Sequence, residues 1–165
     1  LGDVIEGNEV EEQSSLYCGL KLAATVQDGW KPESAFIVEG YYPTSGETMD
    51  SEIFLTYVFG WTIFNDWKWD TALHYGTGTQ ADNHNFRLFA PSSVLRIPLG
   101  DRWRVHAEYF GVSSQGKDDD FTLHYISPGL HYLFTPNFET GVRIGWGLNE
   151  EAANFFLNAG IGWRR

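Results

Sequence analysis

The stretch that decides the fold is ETGVRIGWGLNEEAANFFLNAGIGWRR, residues 139–165. Large apolar side chains alternate with small or charged ones in two runs, from Phe138 to Leu148 and from Phe155 to Trp163, around a short acidic loop. Because a period of two sends successive side chains to opposite faces of an extended strand, both runs are predicted strands. The stretch therefore predicts a β-hairpin with one apolar face and one polar face.

Composition extends this prediction to the rest of the chain. The protein has 165 residues, 16% aromatic residues, 18 glycines and a net charge of −11. Such a negative charge disfavours nucleic acid as a partner, because phosphates would be repelled. A single cysteine, Cys18, excludes an internal disulfide, and no apolar run approaches the roughly 20 residues of a membrane-spanning helix. We expect one β-domain over residues 1–165, in which 1–15 form an acidic loop or the remnant of an earlier strand.

Alternation and turn residues predict nine strands along the chain. Tight turns at 65–66, 100–102 and 135–137 alternate with longer polar loops at 44–51, 78–85 and 113–120, while the loop 149–153 is expected to be short. The phase of the alternation changes near Pro91 and Pro128, where we predict β-bulges. The predicted strands are 16–26, 34–43, 53–64, 67–76, 86–97, 103–112, 121–134, 138–148 and 154–164.

Periodicity alone leaves open whether the apolar face meets a protein core or lipid. A soluble lipocalin-like barrel places apolar side chains inside, whereas a membrane barrel turns them outward around a polar interior. Three features favour the membrane: aromatic residues near strand ends, glycines mixed with charges of both signs on the polar parity, and unequal turn lengths. We therefore predict an all-β, antiparallel, up-and-down transmembrane β-barrel. Its nine or ten strands form either a complete barrel or part of a larger one.

Three stretches resemble a known family. They are GLKLAATVQDGWKPESAFIVEGYYPTSG at 19–46, WRVHAEYFGVSS at 103–114 and FTPNFETGVRIGWGLNEEAANFFLNAGIGWRR at 134–165. Together they resemble bacterial outer-membrane proteins described as transporters of the MetA-pathway-of-phenol-degradation type. The resemblance implies an outer-membrane location and transport of small, hydrophobic or aromatic molecules. It also implies that Glu108 and Arg143 occupy matching positions, and since both lie mid-strand on the polar parity we expect them to pair.

The function expected is thus a channel or transporter, with the lipid bilayer and a small-molecule solute as partners and the oligomeric state open. A non-conducting structural barrel and a soluble ligand-binding barrel remain alternatives. We expect no enzyme activity, cofactor or metal site, because the five histidines are not spaced as ligands and no G-x-S-x-G or P-loop motif occurs. Candidate residues facing the lumen are Lys21, Glu39, Lys68, Asp70, His74, Arg104, His106, Glu108, Glu139, Arg143 and Arg164.

Overall fold

The computed structural model describes residues 14–45, 51–79, 84–116 and 120–164, and it is built from nine β-strands. The acidic segment up to residue 13 lies outside these ranges, and the rest of the predicted segment 1–15 begins the first strand. The predicted all-β class and the nine strands are confirmed. The strands are β1 (Ser14–Thr25), β2 (Glu33–Ser45), β3 (Ser51–Thr62), β4 (Lys68–Thr79), β5 (Asn85–Leu99), β6 (Trp103–Gln115), β7 (Phe121–Thr135), β8 (Phe138–Gly147) and β9 (Phe155–Trp163).

Each strand pairs antiparallel with the next, which gives one up-and-down sheet in the order β1 to β9. A single turn of 3-10 helix, Phe64–Asp66, joins β3 to β4. No helix in the described part of the chain is long and apolar enough to cross a membrane. Among the described residues, β1 pairs only with β2 and β9 only with β8, so the sheet is open. Because strand direction alternates, β1 and β9 run the same way, and the open sheet corresponds to a partial barrel.

The register keeps two faces distinct across the whole sheet. Residues paired directly across antiparallel strands share a face. One row of such pairs runs from β3 to β9 through Thr62, Lys68, Arg96, His106, Gly129, Arg143 and Asn158. We call the face that carries this row the polar face, and the opposite one the apolar face.

The polar face is concave. The rings of Phe110 on β6 and Phe156 on β9 lie 6.0 Å apart between centroids, although β7 and β8 separate their strands. Three strand spacings would span about 14 Å on a flat sheet. The Phe156 ring covers part of this distance by lying over Gly145 on β8, and a sheet that curls towards this face accounts for the rest.

The predicted bulges at Pro91 and Pro128 are wrong. The register of β4 with β5 runs through Pro91 without a shift, and that of β6 with β7 runs through Pro128. Each proline only interrupts pairing on its other side, because it has no N–H to donate. Beside Pro128, the Ser127 hydroxyl donates a hydrogen bond to the Ile144 carbonyl over 3.1 Å. The phase change in the sequence has another cause, since apolar residues near one end of the sheet lie on the polar face.

Connections differ from prediction at two places: the turn predicted at 65–66 spans 63–67, and the connection between β8 and β9 is longer than expected. The turns at 100–102 and 136–137 mark one end of the sheet, here called the turn end; the opposite end is the loop end. The connection between β8 and β9 at the loop end was expected to be short, but it spans 148–154 because β8 ends at Gly147 and β9 begins at Phe155. A backbone hydrogen bond from Leu148 to His124, 2.8 Å long, holds this connection against β7.

No sealed apolar interior forms among the described residues. Their buried hydrophobic residues are only Ala35, Phe86 and Ala152. Large side chains of the apolar face are instead exposed, for example Leu157 at 67% and Ile161 at 80%. The interior of a soluble barrel would be filled by such residues.

Candidate functional site

All eleven candidate residues lie on the polar face. The unbroken register carries this face from strand to strand, and Arg164 follows β9 with the same parity. They are Lys21 on β1, Glu39 on β2, Lys68, Asp70 and His74 on β4, Arg104, His106 and Glu108 on β6, Glu139 and Arg143 on β8, and Arg164. The face they share therefore offers both signs of charge to one concave surface.

Glu108 and Arg143, which the sequence predicts to pair, form an ion pair across β7. The Arg143 Nη1 donates to Glu108 Oε2 over 2.9 Å, and both side chains are partly exposed. The guanidinium carbon also lies 5.9 Å from the ring centroid of Phe110 and 5.5 Å from that of Phe156. This arrangement adds cation–π attraction to the charge-assisted hydrogen bond.

A glycine on β7 makes room for this cluster. Gly129 is paired with both His106 and Arg143. A Cβ at this position would clash with the His106 ring and come within 2.9 Å of the Arg143 Cβ. The absence of a side chain at Gly129 therefore leaves the space that the His106 ring occupies.

Three other candidates, Glu39, His74 and Lys21, make no ion pair among the described residues. Tyr17 donates from its hydroxyl to Glu39 over 2.7 Å. His74 lies 2.6 Å from the Thr56 hydroxyl through Nδ1 and stacks on Phe54 with 4.8 Å between ring centroids. Lys21 has no ion pair or hydrogen bond among the described residues. These residues line the polar face without joining a common centre.

Charges concentrate at the turn end of the polar face. Glu139 is shared by Arg164, at 3.3 Å, and Arg104, at 3.9 Å. Asp70 pairs with Arg96 on the neighbouring strand. Lys68, directly opposite Arg96, has no ion pair in the described ranges. A cavity of about 610 Å³ lies among these side chains.

The loop end of the polar face is aromatic, which the sequence did not predict. Phe110 stacks on Tyr125 at 5.0 Å, and Tyr125 meets Phe156 edge-on at 5.6 Å. Phe86, on the same face, is almost fully buried. Phe86 and Tyr125 were missed because the predicted bulges would have turned the apolar ends of β5 and β7 towards the apolar face.

Arg96 and His131 are two further polar residues of this face that the candidates omit. His131 pairs with Arg104 in the register, and its ring lies 5.2 Å from that of His106. Alternation in the sequence could have identified both residues. Arg96 lies between the apolar residues Leu95 and Ile97, and His131 lies between Leu130 and Tyr132, so each is expected on the polar face. In the part of the chain that is described, no three His, Cys, Asp or Glu side chains come together as metal ligands.

The apolar face carries aromatic residues near both ends. At the turn end, ring centroids lie 5.4 Å apart for Trp61 and Trp69 and 4.5 Å apart for Trp103 and Tyr132. Arg102, in the turn before β6, donates to the Tyr132 hydroxyl over 3.4 Å, and this hydrogen bond raises the pKa of the guanidinium. Further aromatic residues of this face at the turn end are Phe134, Phe138 and Trp163, and towards the loop end they are Tyr75, Phe89, Tyr109, Trp146 and Phe155.

The fold and the polar face together define an up-and-down antiparallel β-sheet protein with a charged concave surface. A family model described as "Putative MetA-pathway of phenol degradation" matches residues 6–165. The chain belongs to that family, and the resemblance noted in the sequence is confirmed. No curated protein matches the chain.

Proposed function

We propose that this protein is an outer-membrane β-barrel, or part of a larger one, that passes small molecules along its polar face. The observation that carries the proposal is the separation of the two faces. Every candidate charged or histidine residue lies on the concave face, while the exposed large side chains of β8 and β9 lie on the convex one. Lipid is the environment in which such a convex apolar surface is stable.

Dimensions support a bilayer. On β8, eight residue steps separate the aromatic residue of the turn end, Phe138, from that of the loop end, Trp146. At about 3.3 Å per residue this distance is roughly 26 Å along the strand, and the nine residues from Phe138 to Trp146 match the roughly nine to eleven that a tilted strand needs to cross a bilayer. The two aromatic zones then correspond to the two membrane interfaces.

The polar face suits a water-filled path. Its ion pairs leave the side chains partly exposed, as for Glu108 and Arg143, and its aromatic end offers rings to a solute. The family description links relatives to phenol degradation, which favours an aromatic or otherwise hydrophobic small molecule as solute. The protein acts in this proposal without catalysis, cofactor or metal.

A non-conducting structural barrel is the second candidate. The cluster of Arg143, Phe110 and Phe156 fills part of the concave face and favours it. Conductance of the purified protein in planar lipid bilayers separates the two, because only the transporter produces stepwise currents.

Two measurements test the membrane proposal itself. We expect extraction only with detergent, and faster migration on a denaturing gel before boiling than after it. A protein that stays monodisperse in buffer without detergent would contradict the proposal, since its convex apolar face would then be in water.

A further inference from the structure

The cavity at the turn end of the polar face has a positively charged lining. Its charged side chains come from β4, β5, β6 and β8, the turn before β4 and the residue after β9: Lys68, Arg96, Arg104, Glu139, Asp66 and Arg164. Four cations thus meet three carboxylates, because Asp70 pairs with Arg96 from beside the lining, in a chain whose net charge is −11. The cavity therefore keeps a small local excess of positive charge.

Two of these cations make no hydrogen bond within the described residues and can donate to a ligand. Arg104 lies 3.9 Å from Glu139, which is beyond hydrogen-bond distance, and its guanidinium makes no hydrogen bond within the described residues. Lys68 makes none either, and it lies directly opposite Arg96. Asp70 offsets the charge of Arg96 but leaves that of Lys68 unpaired within the described residues, so an anion beside Lys68 would be favourable.

The nearby carboxylates do not form hydrogen bonds with Lys68 or Arg104. Asp70 is occupied by Arg96, and Glu139 has its closer contact with Arg164, at 3.3 Å. A guanidinium presents five N–H donors in a planar fork that matches a carboxylate. Arg104, whose only acidic contact is the longer one to Glu139, therefore has N–H donors available to a ligand in the cavity.

We infer that this cavity is a binding subsite for a small organic carboxylate, with Lys68 and Arg104 as the residues that recognise its charge. The volume of about 610 Å³ suits an organic molecule rather than a simple inorganic ion. The solute proposed above is aromatic, so an aromatic carboxylate is the form of it that this subsite would recognise. The inference rests on the proposed transport function and adds the charge of the solute to it.

Benzoate and benzamide are suitable probes, because they share a ring and a planar head group and differ in charge. Binding of each is measured by calorimetry on the full chain folded in detergent micelles, and flux of each by swelling of protein-containing liposomes. We expect benzoate to bind more tightly than benzamide. Lys68→Gln and Arg104→Gln should each weaken benzoate binding roughly fivefold, the upper range for an exposed charge pair, and leave benzamide binding unchanged.

Arg87→Gln is the matched control, since it removes the same charge from an exposed residue of the apolar face. Should Arg104→Gln disturb folding through the contact with Glu139, Lys68→Gln still tests the subsite, because Lys68 makes no such contact in the described ranges. Equal binding of both probes, or an equal effect of Arg87→Gln, would overturn the inference. Benzoate binding without liposome flux would refute transport and support the subsite. Flux without a preference for benzoate would support transport and refute the subsite.

Discussion

The ion pair between Glu108 and Arg143 can be tested by a double-mutant cycle. Glu108→Gln keeps the shape of the side chain and removes its charge, while Arg143→Met keeps the apolar stem. Unfolding of the two single variants, the double variant and the wild type isolates the coupling between the side chains, provided that neither change creates a new contact.

The expected coupling follows from the geometry. One charge-assisted hydrogen bond of 2.9 Å joins the two groups. Such bonds contribute about 1.5–3 kcal/mol, and solvent screening lowers this value because the Arg143 side chain is 38% exposed. We therefore expect a coupling energy of about 1–1.5 kcal/mol, measured by urea unfolding from lipid vesicles.

A second cycle on Arg104 and Glu139 serves as the control. That pair also joins β6 to β8, but its atoms lie 3.9 Å apart and the Arg104 side chain is 54% exposed. Its coupling should stay below about 0.5 kcal/mol. If the first cycle gives a coupling no larger than the second, the reasoning from distance and exposure is refuted.

Four further substitutions, one of them a control, test the face assignment and the packing around β7. Val142→Arg places a charge mid-strand on the apolar face and should cost about 2–4 kcal/mol of stability in vesicles. The control Gly160→Arg lies on the polar face, where a Cβ meets nothing within 4 Å, and should cost far less. Equal costs would contradict the face assignment. Ser127→Ala leaves a carbonyl of β8 without its hydrogen bond and should lower the unfolding free energy by about 1–2 kcal/mol, while an unchanged value would mean that water replaces the hydroxyl. Gly129→Ala should cost about 1–3 kcal/mol in the same measurement, because the added Cβ overlaps a histidine ring, and a neutral result would show that the ring moves aside.

The strands and their faces were predictable because they depend on local alternation. A side chain at Arg143 and one at Ile144 must point to opposite faces wherever the strand lies. The same rule identified all eleven candidates of the polar face, and it would also have identified Arg96 and His131.

The contacts between strands were less accessible to sequence reasoning. Whether Glu108 reaches Arg143 depends on the curvature of the sheet and on the room left at Gly129, and alternation describes neither. The changes of phase near Pro91 and Pro128 were ascribed to bulges because apolar residues were expected on one face only. Aromatic residues on the concave face produce the same pattern with an unbroken register.

The polar face has an aromatic loop end and a charged turn end, and the strength of an ion pair on this face depends on the end at which it lies. Near the rings of Phe110 and Phe156, Arg143 is partly shielded from water, so its attraction to Glu108 is screened less. At the turn end, Arg104 is more exposed and holds its acidic neighbour loosely. A strong internal pair would compete with a bound anion, whereas a weak one leaves its cation available. The low coupling expected for Arg104 and the carboxylate subsite proposed around it therefore have one physical origin, and a strong coupling in the control cycle would count against both.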